Sequence, residues 1–166
     1  MTVNPPFVMR SSGRGSVTAA PDALEVAYRQ HAQNLRQLAH TILGSPTHIE
    51  DVVQDAFAKA LRAGSVIDHP AAYLRTAVVN GCRDRMRRSR VARMAPKDPP
   101  ISIVDPELDE MWSLVRNLPA KQRLVLALRY GEDMSEIQIA EVLQMPHGTV
   151  KTQIARGLAR LRKEMQ

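Results

Sequence analysis

The stretch from Ser135 to Leu161 holds two short helical patterns separated by a sharp break. Ser135, with Gln138 three residues later, is typical of an N-terminal capping box. Pro146 cannot continue a helix but suits its first turn, so it separates the two patterns. The apolar positions are Ile137, Ile139, Ala140, Val142 and Leu143 in the first pattern and Val150, Ile154, Leu158 and Leu161 in the second.

The polar face of the second pattern carries side chains that can reach base edges and phosphates. They are Thr149, Lys151, Thr152, Gln153, Arg156 and Arg160. We therefore predict a helix-turn-helix whose basic second helix enters a DNA major groove. The alternative is an ordinary αα-hairpin with a solvated basic face. Gln144 departs from the usual pattern, because a glycine often takes the left-handed conformation after such a helix.

The overall charge agrees with a polyanionic partner. The chain has 166 residues, a net charge of +6 and a pI near 10.0, which favours nucleic acid first and a membrane surface second. The one cysteine excludes an internal disulfide and a cysteine-based zinc site, and suits a reducing compartment. No apolar stretch approaches transmembrane length and no signal-peptide pattern is present, so we expect a cytoplasmic protein without membrane insertion.

The first 44 residues are predicted to form a tail followed by a long helix. Residues 1–20 are rich in Pro, Gly and Ser and are predicted to be a disordered tail. A helix then runs from Asp22 to a stop at Gly44, with a core-facing stripe. The stripe consists of Leu24, Tyr28, His31, Leu35, Leu38 and Ile42. His31 fits a packed or rim position better than a metal ligand.

A second helix with an acidic side follows. Thr47 with Glu50 predicts another capping box. The predicted buried face consists of Ile49, Val52, Val53, Ala56, Phe57, Ala60 and Leu61, and the polar side carries Glu50, Asp51, Gln54 and Asp55. Acids near a helix N-terminus are stabilised by the helix dipole alone, which is the simpler explanation. Three acids close together in a basic protein could also bind a basic partner.

Arginines dominate the third helix, which Pro70 opens after a loop containing Gly64. Residues 71–93 hold seven arginines (75, 83, 85, 87, 88, 90, 93) and one acid, Asp84, so seven minus one gives +6. Such a run is often a solvated face, but this density with one acid favours a phosphate-binding stripe. Cys82 is predicted to be a small core residue.

The remaining segments complete an all-α prediction. Residues 95–105 contain Pro96, Pro99 and Pro100 and are predicted to be a linker. A helix follows with Leu108, Met111, Trp112, Val115 and Leu118 inward, then a helix from Ala120 to Tyr130 with Gly131 as its stop. We expect two small helical domains, 21–94 and 106–166, joined by a flexible linker, with the helix-turn-helix in the second.

Two sequence blocks resemble bacterial RNA polymerase sigma factors. ILGSPTHIEDVVQDAFAKAL followed by AAYLRTAVVNGCRDRMRR resembles region 2, and LPAKQRLVLALRYGEDMSEIQIAEVLQMPHGTVKTQIARGLARLRK resembles region 4. The short connection between them is similar to the extracytoplasmic-function (ECF) group. The resemblance covers roughly residues 22 to 164.

This resemblance implies a role for each surface. Glu50, Asp51, Gln54 and Asp55 would bind the clamp helices of the largest subunit of core RNA polymerase. Asn80, Arg83, Arg87 and Arg88 would meet the −10 element of promoter DNA. Thr149, Lys151, Thr152, Gln153, Arg156 and Arg160 would read the −35 element. Members of the group are often held by an anti-sigma factor, which is a further expected partner.

Several positions depart from the family pattern. Tyr73 stands where a tryptophan is frequent, and Arg62–His69 contains no aromatic residue, which leaves the captured −10 base open. Gln153 and Pro146 stand where arginine and serine are common, so the −35 preference is expected to differ from the usual one.

Two rival classes of protein fit the sequence less well. A stand-alone regulator usually needs a symmetric dimer, and no dimerisation helix is evident. An enzyme is disfavoured because the five histidines lack metal-ligand spacing and no nucleophile–base pair or phosphate-binding glycine loop occurs. We therefore expect no catalytic residues, no metal and no cofactor.

Overall fold

The computed structural model describes residues 21–64, 67–91 and 106–166. Within these ranges the chain is helical and contains no strand, which confirms the all-α prediction of two helical segments. The helices are α1 (Pro21–Leu43), α2 (Ile49–Ala63), α3 (Pro70–Val91), α4 (Pro106–Arg116), α5 (Ala120–Leu126), α6 (Glu136–Leu143) and α7 (His147–Glu164). The predicted tail, 1–20, and linker, 95–105, lie outside the described residues.

The first half is a three-helix unit. Helix α1 packs against both α2 and α3, and α2 packs against α3. The predicted buried faces of α1 and α2 and an apolar side of α3 make these contacts. Their buried members include Leu35, Leu38 and Ile42 of α1, Val52, Val53 and Ala56 of α2, and Leu74, Val78 and Cys82 of α3. As predicted, α1 ends at Gly44, whose φ of 69° belongs to the left-handed region.

The second half contains the predicted helix-turn-helix. The Ser135 hydroxyl accepts from the Gln138 amide at 3.2 Å and Gln138 Oε1 accepts from the Ser135 amide at 2.9 Å, which confirms the capping box. Gln144 itself adopts the left-handed conformation, with φ 51°. Helix α7 crosses α5 very closely at Gly157, where a Cβ atom would lie 2.8 Å from Leu126 Cδ1.

The chain between α5 and α6 differs from the predicted single helix. The helix does end at Gly131, but its last five residues, Ala127–Gly131, form a π-helical turn. Such a turn holds one more residue than an α-helical turn and therefore shifts the helical phase of the residues after it.

The predicted capping box at Thr47 is wrong. Helix α2 begins after His48, which has φ 71°, and no side chain caps it. The carboxylate of Glu50 instead accepts a hydrogen bond from Nε of Arg36 at 2.5 Å. Because His48 takes the N-cap position, Glu50 is the second helical residue and not the third, so it cannot complete a capping box with Thr47.

Two predicted inward positions, Leu61 and Met111, are wrong, and the apolar position Ile137 is exposed as well. Leu61 is 50% exposed, Met111 45% and Ile137 62%. Leu61 directly follows Ala60, which is fully buried, so at about 100° per residue its side chain lies away from the packed side of α2. Ile137 lies on the side of α6 opposite the buried Ile139 and Leu143, because the short helix buries one narrow stripe.

The two halves pack against each other, which the sequence did not predict. Helix α1 contacts α4, α5 and the π-helical turn as well as its own partners. The buried apolar residues of both halves form one continuous cluster. Between α1 and the second half lies a cleft of about 300 Å³, lined by Asn34, Gln37, Leu38, Thr41, Met111, Trp112, Ala127, Tyr130, Gly131 and Glu132.

Candidate nucleic-acid and polymerase interface

Helix α7 is held by its apolar side and leaves its polar side open. Val150 and Ile154 are buried, whereas Lys151, Thr152, Arg156 and Arg160 are exposed and Thr149 and Gln153 are half-buried. With about 100° between successive residues, five of the six candidate −35 residues share one side of the helix. Lys151 lies on the other flank, roughly 160° from Gln153, so it suits a backbone phosphate and does not share the face of the others.

Two hydrogen bonds fix the start of α7. The Thr152 hydroxyl donates to the carbonyl of Gly148 at 2.8 Å, so its oxygen remains available only as an acceptor. His147 Nε2 lies 3.0 Å from Glu136 Oε2, which joins the first turn of α7 to the first turn of α6. The contact between His147 and Glu136 therefore links α7 to α6 in addition to the apolar packing.

The arginine run of α3 divides into inward and outward members. Arg75 pairs with Glu132 at 2.7 Å, and Arg85 lies 3.5 Å from Asp51, so both face carboxylates on other elements. The outward members are Arg83, which is half-buried, and the exposed Arg87 and Arg88, while the side chains of Arg90 and Arg93 lie outside the described residues. The predicted phosphate-binding stripe therefore contains fewer available arginines than the sequence suggested.

The predicted −10 residues lie together on the outward part of α3. Asn80, Arg83 and Arg87 are three to four residues apart and share one side of the helix. Burial lowers the pKa of Arg83, with the charge of Arg87 acting in the same direction. Arg87 is paired with Asp84 at 2.9 Å. A polyanion would relieve the repulsion between the two arginines, which favours phosphate binding here.

The acidic side of α2 is exposed, as predicted, but its carboxylates have partners. Besides the bond from Arg36 to Glu50, Asp51 accepts from His48 at 3.2 Å and Asp55 pairs with Lys59 at 2.9 Å. The Gln54 amide donates to the Tyr28 hydroxyl at 3.1 Å. A basic partner would therefore have to exchange surface ion pairs, which are individually weak.

Two functional candidates between the halves were not predicted from the sequence. Arg123 donates to main-chain carbonyls of both halves, and Glu132 binds Arg75 across the same boundary. The available sequence signal was weak: Arg123 stands directly before the apolar run Leu124, Val125, Leu126, whose members are buried in the structure.

Over the described ranges, no three His, Cys, Asp or Glu side chains lie close enough together to hold a metal ion. Cys82 is buried, and burial raises the pKa of its thiol to about 12, which makes it a poor nucleophile. Among the helices described, none combines the length and the apolarity needed to cross a bilayer.

Comparison with known proteins identifies both halves. The family description "Sigma-70 region 2" matches residues 27–91, and "Sigma-70, region 4" matches residues 108–161. The RNA polymerase sigma-E factor of Streptomyces coelicolor is 30% identical over 149 residues, covering 84% of this chain and 83% of its own. The ECF RNA polymerase sigma factor SigW of Bacillus subtilis is 27% identical over 176 residues and 92% of each chain.

A solved structure agrees with the fold. CnrH, in complex with the cytosolic domain of CnrY, superimposes with a TM-score of 0.61 at 28% identity, over 87% of this chain and 88% of that chain. The matches span the helices of both halves and the helix-turn-helix. The chain therefore belongs to the sigma-70 family as a member of its extracytoplasmic-function group, and it is a sigma factor that directs RNA polymerase to promoter DNA.

Proposed function

We propose that the two halves divide the work of promoter recognition. Residues 21–94 form the domain that binds core polymerase and the −10 element, residues 95–105 connect it to the rest, and residues 106–166 form the domain that binds the −35 element. The observation that carries this proposal is the separation of two exposed basic helices, α3 and α7, onto two different helical units.

In the second domain, α7 reads the −35 element through the major groove. Thr149, Thr152, Gln153, Arg156 and Arg160 supply base and phosphate contacts from one side of the helix. The amide of Gln153 can bond bidentately to adenine, whereas the arginine common at this position prefers guanine. Lys151, on the other flank, binds backbone phosphate.

In the first domain, the outward part of α3 binds the −10 region. Arg83, Arg87 and Arg88 bind phosphates, and the half-buried Asn80 beside them supplies an amide that can bond to an unstacked base. The acidic side of α2, formed by Glu50, Asp51, Gln54 and Asp55, binds a basic surface of core polymerase.

The protein acts by binding and carries no chemistry of its own. We propose that it works in the cytoplasm, where polymerase and promoter DNA are found. We also propose an anti-sigma factor as a regulator, because the sigma factor RpoE of Bartonella quintana, which has a similar fold, is in complex with the anti-sigma factor NepR. These assignments need no metal or cofactor.

Transcription from purified components tests the proposal. Core polymerase alone and polymerase with this protein are supplied with a pool of promoter fragments, and the transcripts are sequenced. We expect specific start sites, each preceded by shared −10 and −35 sequences, only when the protein is present. Tight binding to DNA as a dimer, with no effect of polymerase, would support a stand-alone regulator instead.

A further inference from the structure

A histidine on the first turn of α7 is bound to a carboxylate of α6. His147 Nε2 lies 3.0 Å from Glu136 Oε2, and the two side chains are 54% and 35% exposed. Glu136 stands in the first turn of α6, next to the capping box of Ser135 and Gln138. A negative charge is favoured at that end of a helix, so Glu136 offers a well-placed anion to the imidazole ring.

The contact with Glu136 decides which ring nitrogen of His147 carries a proton. An ionised carboxylate only accepts hydrogen bonds, so Nε2 must be the donor. In the neutral ring, Nδ1 then has no proton and is itself an acceptor, which cannot bind a phosphate oxygen. A phosphate contact from His147 therefore requires the protonated ring, whose Nδ1–H can donate.

His147 shares a flank of α7 with Lys151. The two residues are four positions apart, hence about 40° apart around the helix, and both are exposed. Space beside this turn is open, because a Cβ atom built on Gly148 would meet nothing within 4 Å. A DNA strand whose phosphate binds Lys151 would thus also pass close to the imidazole ring.

The charges around His147 act on its protonation in opposite directions. Glu136 favours the imidazolium, whereas Lys151 and the positive end of the α7 dipole disfavour it. Helix α5 meets α7 farther along, beside Gly157, where the neighbouring side chains are uncharged. A phosphate would be a second anion beside the ring, so DNA binding and proton uptake would favour each other.

We propose that His147 is a further DNA-contacting residue of the second half, which binds a backbone phosphate next to the Lys151 contact when its ring is protonated. The inference rests on the proposed function, in which α7 binds the −35 element. It adds a dependence on pH to that function, because Thr, Gln, Lys and Arg side chains ordinarily keep their charge near neutral pH and histidine does not.

The direction of the pH effect follows from the proton that the contact needs. At low pH the imidazolium is already present in the free protein, so binding is strongest there. As the pH rises, binding must take up a proton, so affinity falls by at most about tenfold per pH unit for one proton. Each neutralised phosphate adds about 0.9 to the magnitude of the slope of log affinity against log salt, so this slope should be larger at low pH.

Binding of the full chain with core polymerase to a labelled duplex that carries only the −35 element tests this. The salt slope is measured at about pH 6 and about pH 8, on either side of the range in which histidine ordinarily changes charge. We expect the wild-type slope to be larger at the lower pH by up to about 0.9. His147→Gln should give the smaller slope at both pH values, because the amide is uncharged.

Three further variants distinguish a phosphate contact from a structural role. His147→Lys carries a permanent charge and should keep the larger slope at both pH values. Glu136→Gln keeps an acceptor for Nε2 without the negative charge, so the fall in affinity should begin at a lower pH. His69→Gln, at an exposed histidine of the first half, should respond to pH as the wild type does.

The phosphate contact and the proposed function can fail separately. Equal wild-type salt slopes at the two pH values would overturn the contact, and so would a wild-type pH response in His147→Gln. Affinity that is lower in both His147→Gln and His147→Lys at both pH values would show a structural role instead. If neither Gln153→Ala nor Lys151→Ala weakens binding to the duplex, α7 does not bind the −35 element, and the proposed function fails together with the inference.

Discussion

The carboxylate of Asp51 on α2 lies 3.5 Å from Nη2 of Arg85 on α3. His48 Nδ1 lies 3.2 Å from the same carboxylate oxygen. An acid of the proposed polymerase surface is therefore bound to an arginine of the proposed −10 helix. Reversing the charge of Asp51 would disturb the first domain as well as a partner, so a cleaner probe of polymerase binding is needed.

Asp55 provides that probe because its partner, Lys59, is one turn away on the same exposed surface. Asp55→Arg should change the free energy of unfolding by only a few tenths of a kcal/mol. Association with core polymerase should weaken by several kcal/mol, because the new cation faces a basic surface. Titration of labelled protein with core polymerase measures this.

Glu25→Arg is the matched control, since Glu25 pairs with Arg29 at the same i,i+4 spacing on α1. It should leave polymerase affinity unchanged. If both variants bind polymerase equally well, Asp55 is not part of a polymerase-binding surface.

Two substitutions in α7 should distinguish a contact to a base from a contact to a phosphate. Gln153→Ala should reduce discrimination at one base pair by about 1–3 kcal/mol, because a bidentate contact is lost. Lys151→Ala, on the other flank of α7, should weaken binding to all sequences alike. Binding to single-base variants of the −35 element checks both, and an unchanged preference for Gln153→Ala would exclude a base contact there.

Removal of two exposed arginines of α3 should impair promoter opening. Arg87→Ala with Arg88→Ala should lower the slope of log affinity against log salt by about 2 at most, one phosphate each. Permanganate reactivity of melted thymines reports the opening. Arg29→Ala with Lys121→Ala removes the same charge from exposed positions elsewhere; if both pairs behave alike, the basic run acts only through net charge.

Replacement of two glycines of α7 by alanine should have different effects on the free energy of unfolding. Gly157→Ala puts a Cβ atom 2.8 Å from Leu126 Cδ1, so overpacking should cost about 1–3 kcal/mol. Gly148 has no atom within 4 Å of its would-be Cβ, so Gly148→Ala should be neutral or stabilise by up to about 1 kcal/mol. Urea unfolding measures both, and equal effects would contradict the close crossing of α5 and α7.

Local patterns were predictable from the sequence and long-range partners were not. The capping box at Ser135 and the stop at Gly44 depend on residues within one turn, and both predictions are confirmed. The box at Thr47 is absent because α2 begins after His48, and Glu50 instead binds Arg36, fourteen positions earlier in the chain. The role of Arg123 depends on carbonyls that are about eighty residues away, and no periodicity encodes such a partner.

The π-helical turn Ala127–Gly131 has a consequence for how this domain can change during evolution. One residue is wound into it beyond the α-helical count, and each residue of a helix turns the chain by about 100°. Deletion of a single residue would rewind the turn as α-helix and rotate Glu132 away from α1 relative to α5. The side of the domain that packs against the first half and the side proposed to bind DNA are thus kept in phase by one inserted residue.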